Sequence, residues 1–183
     1  MIETNASALL LGFAERVIKH SILPGSEAEH CASSVDAVPY SHAGVFVTIT
    51  VNDELRGCIG DMDSSHTLEE AVSLAACGAA TRDHRFHPLS AADFDAMEIT
   101  VTILEPMEAV HDNNDVVVGQ HGLFLEYGAR RGILLPQVAS DRNWNALRFL
   151  EAVCEKAGVP RGAWKWPDVT VKRFRATLYK TGS

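Results

Sequence analysis

The chain has no apolar run approaching the roughly 18 residues that a membrane-crossing helix needs. Its opening, Ile2-Glu3-Thr4-Asn5, lacks the basic stretch and apolar segment of a secretory leader. Its four cysteines, Cys31, Cys58, Cys77 and Cys154, form no Cys-x-x-Cys pair and are too sparse for the disulfide framework of a small secreted domain. They read as thiols in a reducing cytoplasm, away from membranes. Positive charge is also in short supply: 16 Lys and Arg against 24 Asp and Glu leave a formal charge of -8. A general grip on nucleic acid needs Lys and Arg clustered along one face. The basic knots, Arg130-Arg131 and Lys172-Arg173-Phe174-Arg175, fall in strand-like stretches and read as exposed strand charges. No strong nucleic-acid binding is expected. Internal repeats, low-complexity tracts and an interdomain linker are absent too.

What is present suits a folded core. The 183 residues are 46% hydrophobic and 22% charged, which fits one domain running from about residue 8 to 180. Leu9, Leu10, Phe13, Ala14, Val17 and Ile18 recur at helical spacing, with Asn5 or Ser7 as a cap and Pro24-Gly25 as a stop. Residues 21–43 read as a long loop. Val45, Val47, Ile49 and Val51 share one face of a strand. The turn signal Asn52-Asp53 joins that strand to a second one over residues 54–59. Thr67-Leu68-Glu69-Glu70 fits a capping box, in which Thr67 and Glu70 satisfy each other's free main-chain N–H groups. A helix should follow to about Ala80, then a short helix over 90–97 and a strand over 98–104. Further strands are expected at 116–118, 123–127, 132–135 and 169–179, and a helix at 143–157 ended by Gly158. Hairpins with a few helices make an α+β fold, mainly antiparallel sheet flanked by helices.

The chemistry concentrates in three segments. In Leu55-Arg56-Gly57-Cys58-Ile59-Gly60, an extended backbone puts Arg56 and Cys58 on one face, with Cα atoms roughly 7 Å apart. At that separation and an effective dielectric near 20, a guanidinium favours a thiolate by roughly 2 kcal/mol. Cys58 then reads either as a nucleophile, if solvent reaches it, or as a small packed thiol. The second segment, Asp83-His84-Arg85-Phe86-His87-Pro88, sets a carboxylate, imidazoles and a guanidinium in a loop, where sites concentrate. His84 is a candidate base. Asp83, His84 and His87 are a sparse zinc signature that is better explained by a polar loop in which Asp83 and Arg85 pair with each other or with backbone, so no metal or cofactor is assigned. The third segment, Leu134-Leu135-Pro136-Gln137-Val138, ends an apolar strand abruptly and offers the Gln137 amide.

Leu55-Arg56-Gly57-Cys58-Ile59-Gly60 resembles the signature hexapeptide of the AMMECR family, whose bacterial and archaeal members are called AmmeMemoRadiSam system protein A. The resemblance runs in order along the chain. It takes in Phe46-Val47-Thr48-Ile49, Asp83-His84-Arg85-Phe86, Glu98-Ile99-Thr100-Val101, His121-Gly122-Leu123, the stretch from Arg131 to Ala139, and Phe149-Leu150, Cys154 and Lys156-Ala157-Gly158. His84 stands where the family has Pro, and His121 where it has Asp, so neither carries a family role. The resemblance implies a larger lobe built from both chain ends and a smaller middle lobe. It also implies a link to Memo-like and radical-SAM proteins as partners, but no settled activity; on the residues above, a small-molecule or modified-residue site is expected between the lobes. Cys58, Arg56 and Asp83 would carry any catalysis there. Gly57, Gly60, Arg85, Phe86, Pro136 and Gln137 would shape and hold the ligand. A non-catalytic adaptor is the alternative.

Overall fold

The computed structural model describes residues 2–23 and 41–181, with side chains from residue 6 onward. Residues 24–40, including Cys31 and most of the expected 21–43 loop, lie outside the described residues. The chain divides into two compact units, Met1–Ile103 with Thr177–Ser183, and Leu104–Ala176. Both chain ends therefore build the larger unit and the middle of the chain builds the smaller one.

The larger unit opens with helix α1 (Ile2–Ile22). It begins before the expected Asn5 or Ser7 cap, and it buries Leu10, Phe13, Ala14 and Ile18. Strands β1 (Gly44–Val51) and β2 (Glu54–Asp61) form the expected antiparallel hairpin. Asn52 and Asp53, both at positive φ, make its two-residue turn. Helix α2 (Leu68–Thr81) starts at the Thr67–Glu70 capping box read from the sequence. Its alanines, Ala71, Ala75, Ala76 and Ala79, are buried and let it settle close onto β1 and β2. A 3₁₀ turn over Ala91–Ala96 leads into β3 (Met97–Leu104). The sheet is completed by β8 (Ala176–Lys180), in the order β2-β1-β3-β8, so β2 is an edge strand.

The smaller unit holds β4 (Glu108–Ala109), β5 (Gly122–Tyr127), β6 (Arg130–Leu134) and β7 (Thr170–Phe174), in the order β4-β7-β5-β6. Helix α3 is Pro136–Asp141 and α4 is Ala146–Lys156. Apolar side chains of α4 (Phe149, Leu150, Val153, Cys154) join Leu123, Leu125 and Val171 of the sheet in one core. Gly158 ends α4 at φ 72°, as its position foretold.

Three expectations need correcting. The apolar run 116–118 is not a strand: the Val117 carbonyl accepts from the N–H groups of Gln120 and His121, so the chain turns there. The closing strand over 169–179 is two strands, because the chain leaves one sheet at Phe174 and enters the other at Ala176. Trp144 precedes α4 rather than lying within it, since Asn145 is the cap and accepts from the Arg148 N–H.

Candidate functional site around Cys58

The ladder between β1 and β2 pairs Thr48 with Cys58, Ile49 with Gly57 and Thr50 with Leu55, which leaves Arg56 opposite no residue. This bulge breaks the strict alternation that the sequence reading assumed. The Arg56 guanidinium ion-pairs with Asp93, Nη1 to Oδ1 at 3.5 Å, rather than with the thiol. Asp93 is itself fixed, because it accepts from the N–H (2.8 Å) and hydroxyl (2.9 Å) of Ser90. Those bonds, with the Arg56 charge behind them, lower its pKa. Asp93 went unnoticed in the sequence, although Ser90-x-x-Asp93 has the spacing of a capping box.

The glycines of the signature segment answer to packing. A Cβ on Gly57 would lie 2.0 Å from the carbonyl oxygen of Ala79, so β2 touches the α2 backbone directly. A Cβ on Gly60 would fall 2.4 Å from the Phe46 ring, which covers that position from the neighbouring strand.

As an edge strand, β2 has main-chain groups with no partner strand. At Cys58 the loop after α2 supplies one. The Cys58 N–H donates to Asp83 Oδ2 at 2.9 Å, and the Cys58 carbonyl accepts from Arg85 Nη2 at 3.3 Å. Asp83 and Arg85 are joined in turn, Nη2 to Oδ2 at 2.6 Å and Nε to Oδ1 at 2.9 Å. The Arg85 N–H also donates to Asp83 Oδ1 at 3.2 Å. The Asp-x-Arg pair thus stands where the next strand would. Asp83 is buried, which disfavours its charge, but the Arg85 bonds and the Cys58 N–H prevail and hold its carboxyl far below the ordinary range. Asp83 keeps the Arg85 guanidinium firmly charged. With Asp83 so engaged, a zinc site at Asp83, His84 and His87 loses its carboxylate. Among the described residues no three His, Cys, Asp or Glu side chains converge for a metal.

Cys58 is a partly exposed residue, and its thiol accepts from the Thr48 hydroxyl at 3.3 Å. Thr48 had no role in the sequence reading. Its signal was its place opposite Cys58 in the hairpin. Beside the clamp lies an open cavity of about 430 Å³ lined by Arg56, His84, Arg85, Phe86 and His87. The Arg85 guanidinium sits over the Phe86 ring, 5.3 Å from its centroid. The structure therefore gathers Arg56, Gly57, Cys58, Gly60, Asp83, Arg85 and Phe86 in the larger unit. Pro136 and Gln137 belong to the smaller unit. Pro136 opens α3 at a position where no main-chain N–H is needed, and Ser140 donates to the Gln137 carbonyl at 3.0 Å.

The AMMECR1 family model matches residues 11–179, nearly the whole described chain. The chain belongs to the AMMECR1 family. Several similar proteins come from archaea. Protein Ta0236 of Thermoplasma acidophilum is 35% identical over 185 residues, covering 97% of this chain and 86% of the relative. A protein of Aeropyrum pernix is 44% identical over 132 residues, and there the match spans 69% of this chain but only 57% of the relative. The crystal structure of the uncharacterized protein PH0010 from Pyrococcus horikoshii aligns with a TM-score of 0.85 at 31% identity, covering 97% of this chain and 92% of that one. These AMMECR1 relatives establish the fold and the family. No helix among the described residues is long and apolar enough to cross a membrane.

Proposed function

We infer that this AMMECR1-family protein is a cysteine-dependent enzyme acting on an anionic small molecule or an anionic modified residue, bound beside Cys58 in the larger unit. The observation that carries this reading is the double use of Arg85, which lines the cavity with Arg56, His84 and His87 and also grips the Cys58 main chain. Two guanidiniums and two imidazoles around one phenyl ring suit a ligand with a negative head and a flat or apolar body. The Thr48 hydroxyl orients the sulfur. In the reactive form the thiol proton passes to solvent, and a sulfur lone pair adds to an electrophilic carbonyl carbon of the ligand, whose C=O π pair moves onto the oxygen and takes up a proton from solvent. Asp83 acts as a positioning residue, since its oxygens are already occupied.

A second reading is favoured by a different observation: Arg56, Gly57, Ile59 and Gly60 of the signature each have a structural use, with Asp93, in packing against α2, or under Phe46. That pattern also suits a non-catalytic adaptor for Memo-like and radical-SAM partner proteins. Cys58→Ser separates the two. The enzyme reading expects the variant to fold, to keep partner capture in a pull-down, and to fail to rescue a deletion strain. Full rescue by Cys58→Ser establishes the adaptor instead.

A further inference from the structure

The smaller unit has a cavity of its own, about 340 Å³, lined by Glu105, Pro106, Glu108, His121, Arg173, Phe174 and Arg175. That volume lies toward the small end of the roughly 300–1,000 Å³ typical of small-molecule sites. Its groups differ sharply in how far they are already engaged. Arg173 holds Glu108 through Nε (3.0 Å) and Nη2 (2.7 Å), the two residues facing each other across the β4–β7 ladder, and its Nη1 donates to the Asp115 carbonyl. This ion pair is self-contained. His121 is buried, and its Nδ1 accepts from the Val117 N–H at 3.0 Å. Burial, with the charges of Arg173 and Arg175 added, holds the ring in its neutral form despite Glu108 and the Asp115 carbonyl nearby.

Arg175 and Glu105 remain. They are exposed, and their main chains are bonded, Glu105 N–H to Arg175 carbonyl at 2.9 Å. Among the described residues neither side chain has an ion-pair partner. The cavity thus offers one free guanidinium and one free carboxylate beside a neutral floor. A dianion such as phosphate would meet Arg175 but also face Glu105 and Glu108. A ligand with one charge of each sign satisfies both.

We propose that this cavity binds a small zwitterion of the α-amino acid type, its carboxylate on Arg175 and its ammonium on Glu105. His121 and the Arg173–Glu108 pair form the polar floor that fixes its orientation. The site does not depend on the one around Cys58, and it lies wholly within the smaller unit.

The test uses the full chain and the standard L-amino acids as probes, with acetate and methylamine as half-ligands. Binding is read from the His121 ring resonances by NMR, with His84 and His87 reporting on the other cavity in the same spectra. The expected result is that at least one amino acid at about 10 mM shifts His121 and leaves His84 and His87 in place. Acetate and methylamine should do so far more weakly. Arg175→Ala and Glu105→Gln, both at exposed positions, should each weaken binding by about tenfold or more, the loss of one charge-assisted contact. The proposal is overturned if no amino acid moves His121, if acetate binds as tightly as the amino acid, or if binding survives both substitutions.

Discussion

Asp83 accepts hydrogen bonds from the main-chain N–H groups of Cys58 and Arg85 and from the Arg85 guanidinium, and each of them favours the ionised carboxylate. Its folded pKa is depressed, so the stability it contributes is fully present above its unfolded value, about 3.9, and is lost as pH falls through the lower folded value. Asp83→Asn keeps the shape and removes the charge. We expect it to cost about 2 kcal/mol in urea unfolding at pH 7. The difference from wild type should hold to about pH 5 and shrink below about pH 4. A difference that stays constant through acid pH would mean that the clamp is not ionic. This residue's importance was legible in the sequence, because a carboxylate two positions before an arginine in a loop is conspicuous. Its partner was not legible, because nothing local says that the exposed edge at Cys58 is what the pair covers.

Among the elements, β2 and α2 are joined through Gly57, whose missing Cβ leaves room for the Ala79 carbonyl. The same device recurs in the smaller unit, where a Cβ on Gly132 would lie 2.7 Å from the Val153 carbonyl oxygen, so α4 rests on β6 as α2 rests on β2. Gly57→Ala places a methyl against backbone that cannot swing aside. We expect about 3 kcal/mol of destabilisation, measured by chemical denaturation, and a near-neutral outcome would show that α2 can shift outward. The elements themselves were largely readable, since periodicity and caps are local. The β1–β2 hairpin, α2 with its Thr67–Glu70 box and the Gly158 stop all follow from short-range rules. What local rules did not supply was register. The alternation that marks β2 as a strand is silent about the bulge at Arg56, and the same holds for the sheet exchange at Arg175 inside one apolar-alternating run. The first of these redirected Arg56 from Cys58 to Asp93 and left Arg85 as the guanidinium at the cysteine.

For the whole molecule, the charge of -8 sets the background for the proposed Cys58 site. A net negative protein repels small anions on average, so an unremarkable surface thiol should react more slowly with an anionic reagent than its chemistry alone dictates. The cavity beside Cys58 is lined by the guanidiniums of Arg56 and Arg85, while their carboxylate partners Asp93 and Asp83 are not among its lining residues. Iodoacetate and iodoacetamide are nearly equal in size and differ in charge. The decisive measurement is therefore the ratio of their alkylation rates at Cys58, read by peptide mass spectrometry in the native protein and again in urea, with buried Cys154 as the unreactive native control. The account predicts that folding raises the iodoacetate-to-iodoacetamide ratio at Cys58. A ratio that folding lowers or leaves unchanged, or a Cys58 that reacts only after unfolding, would contradict it.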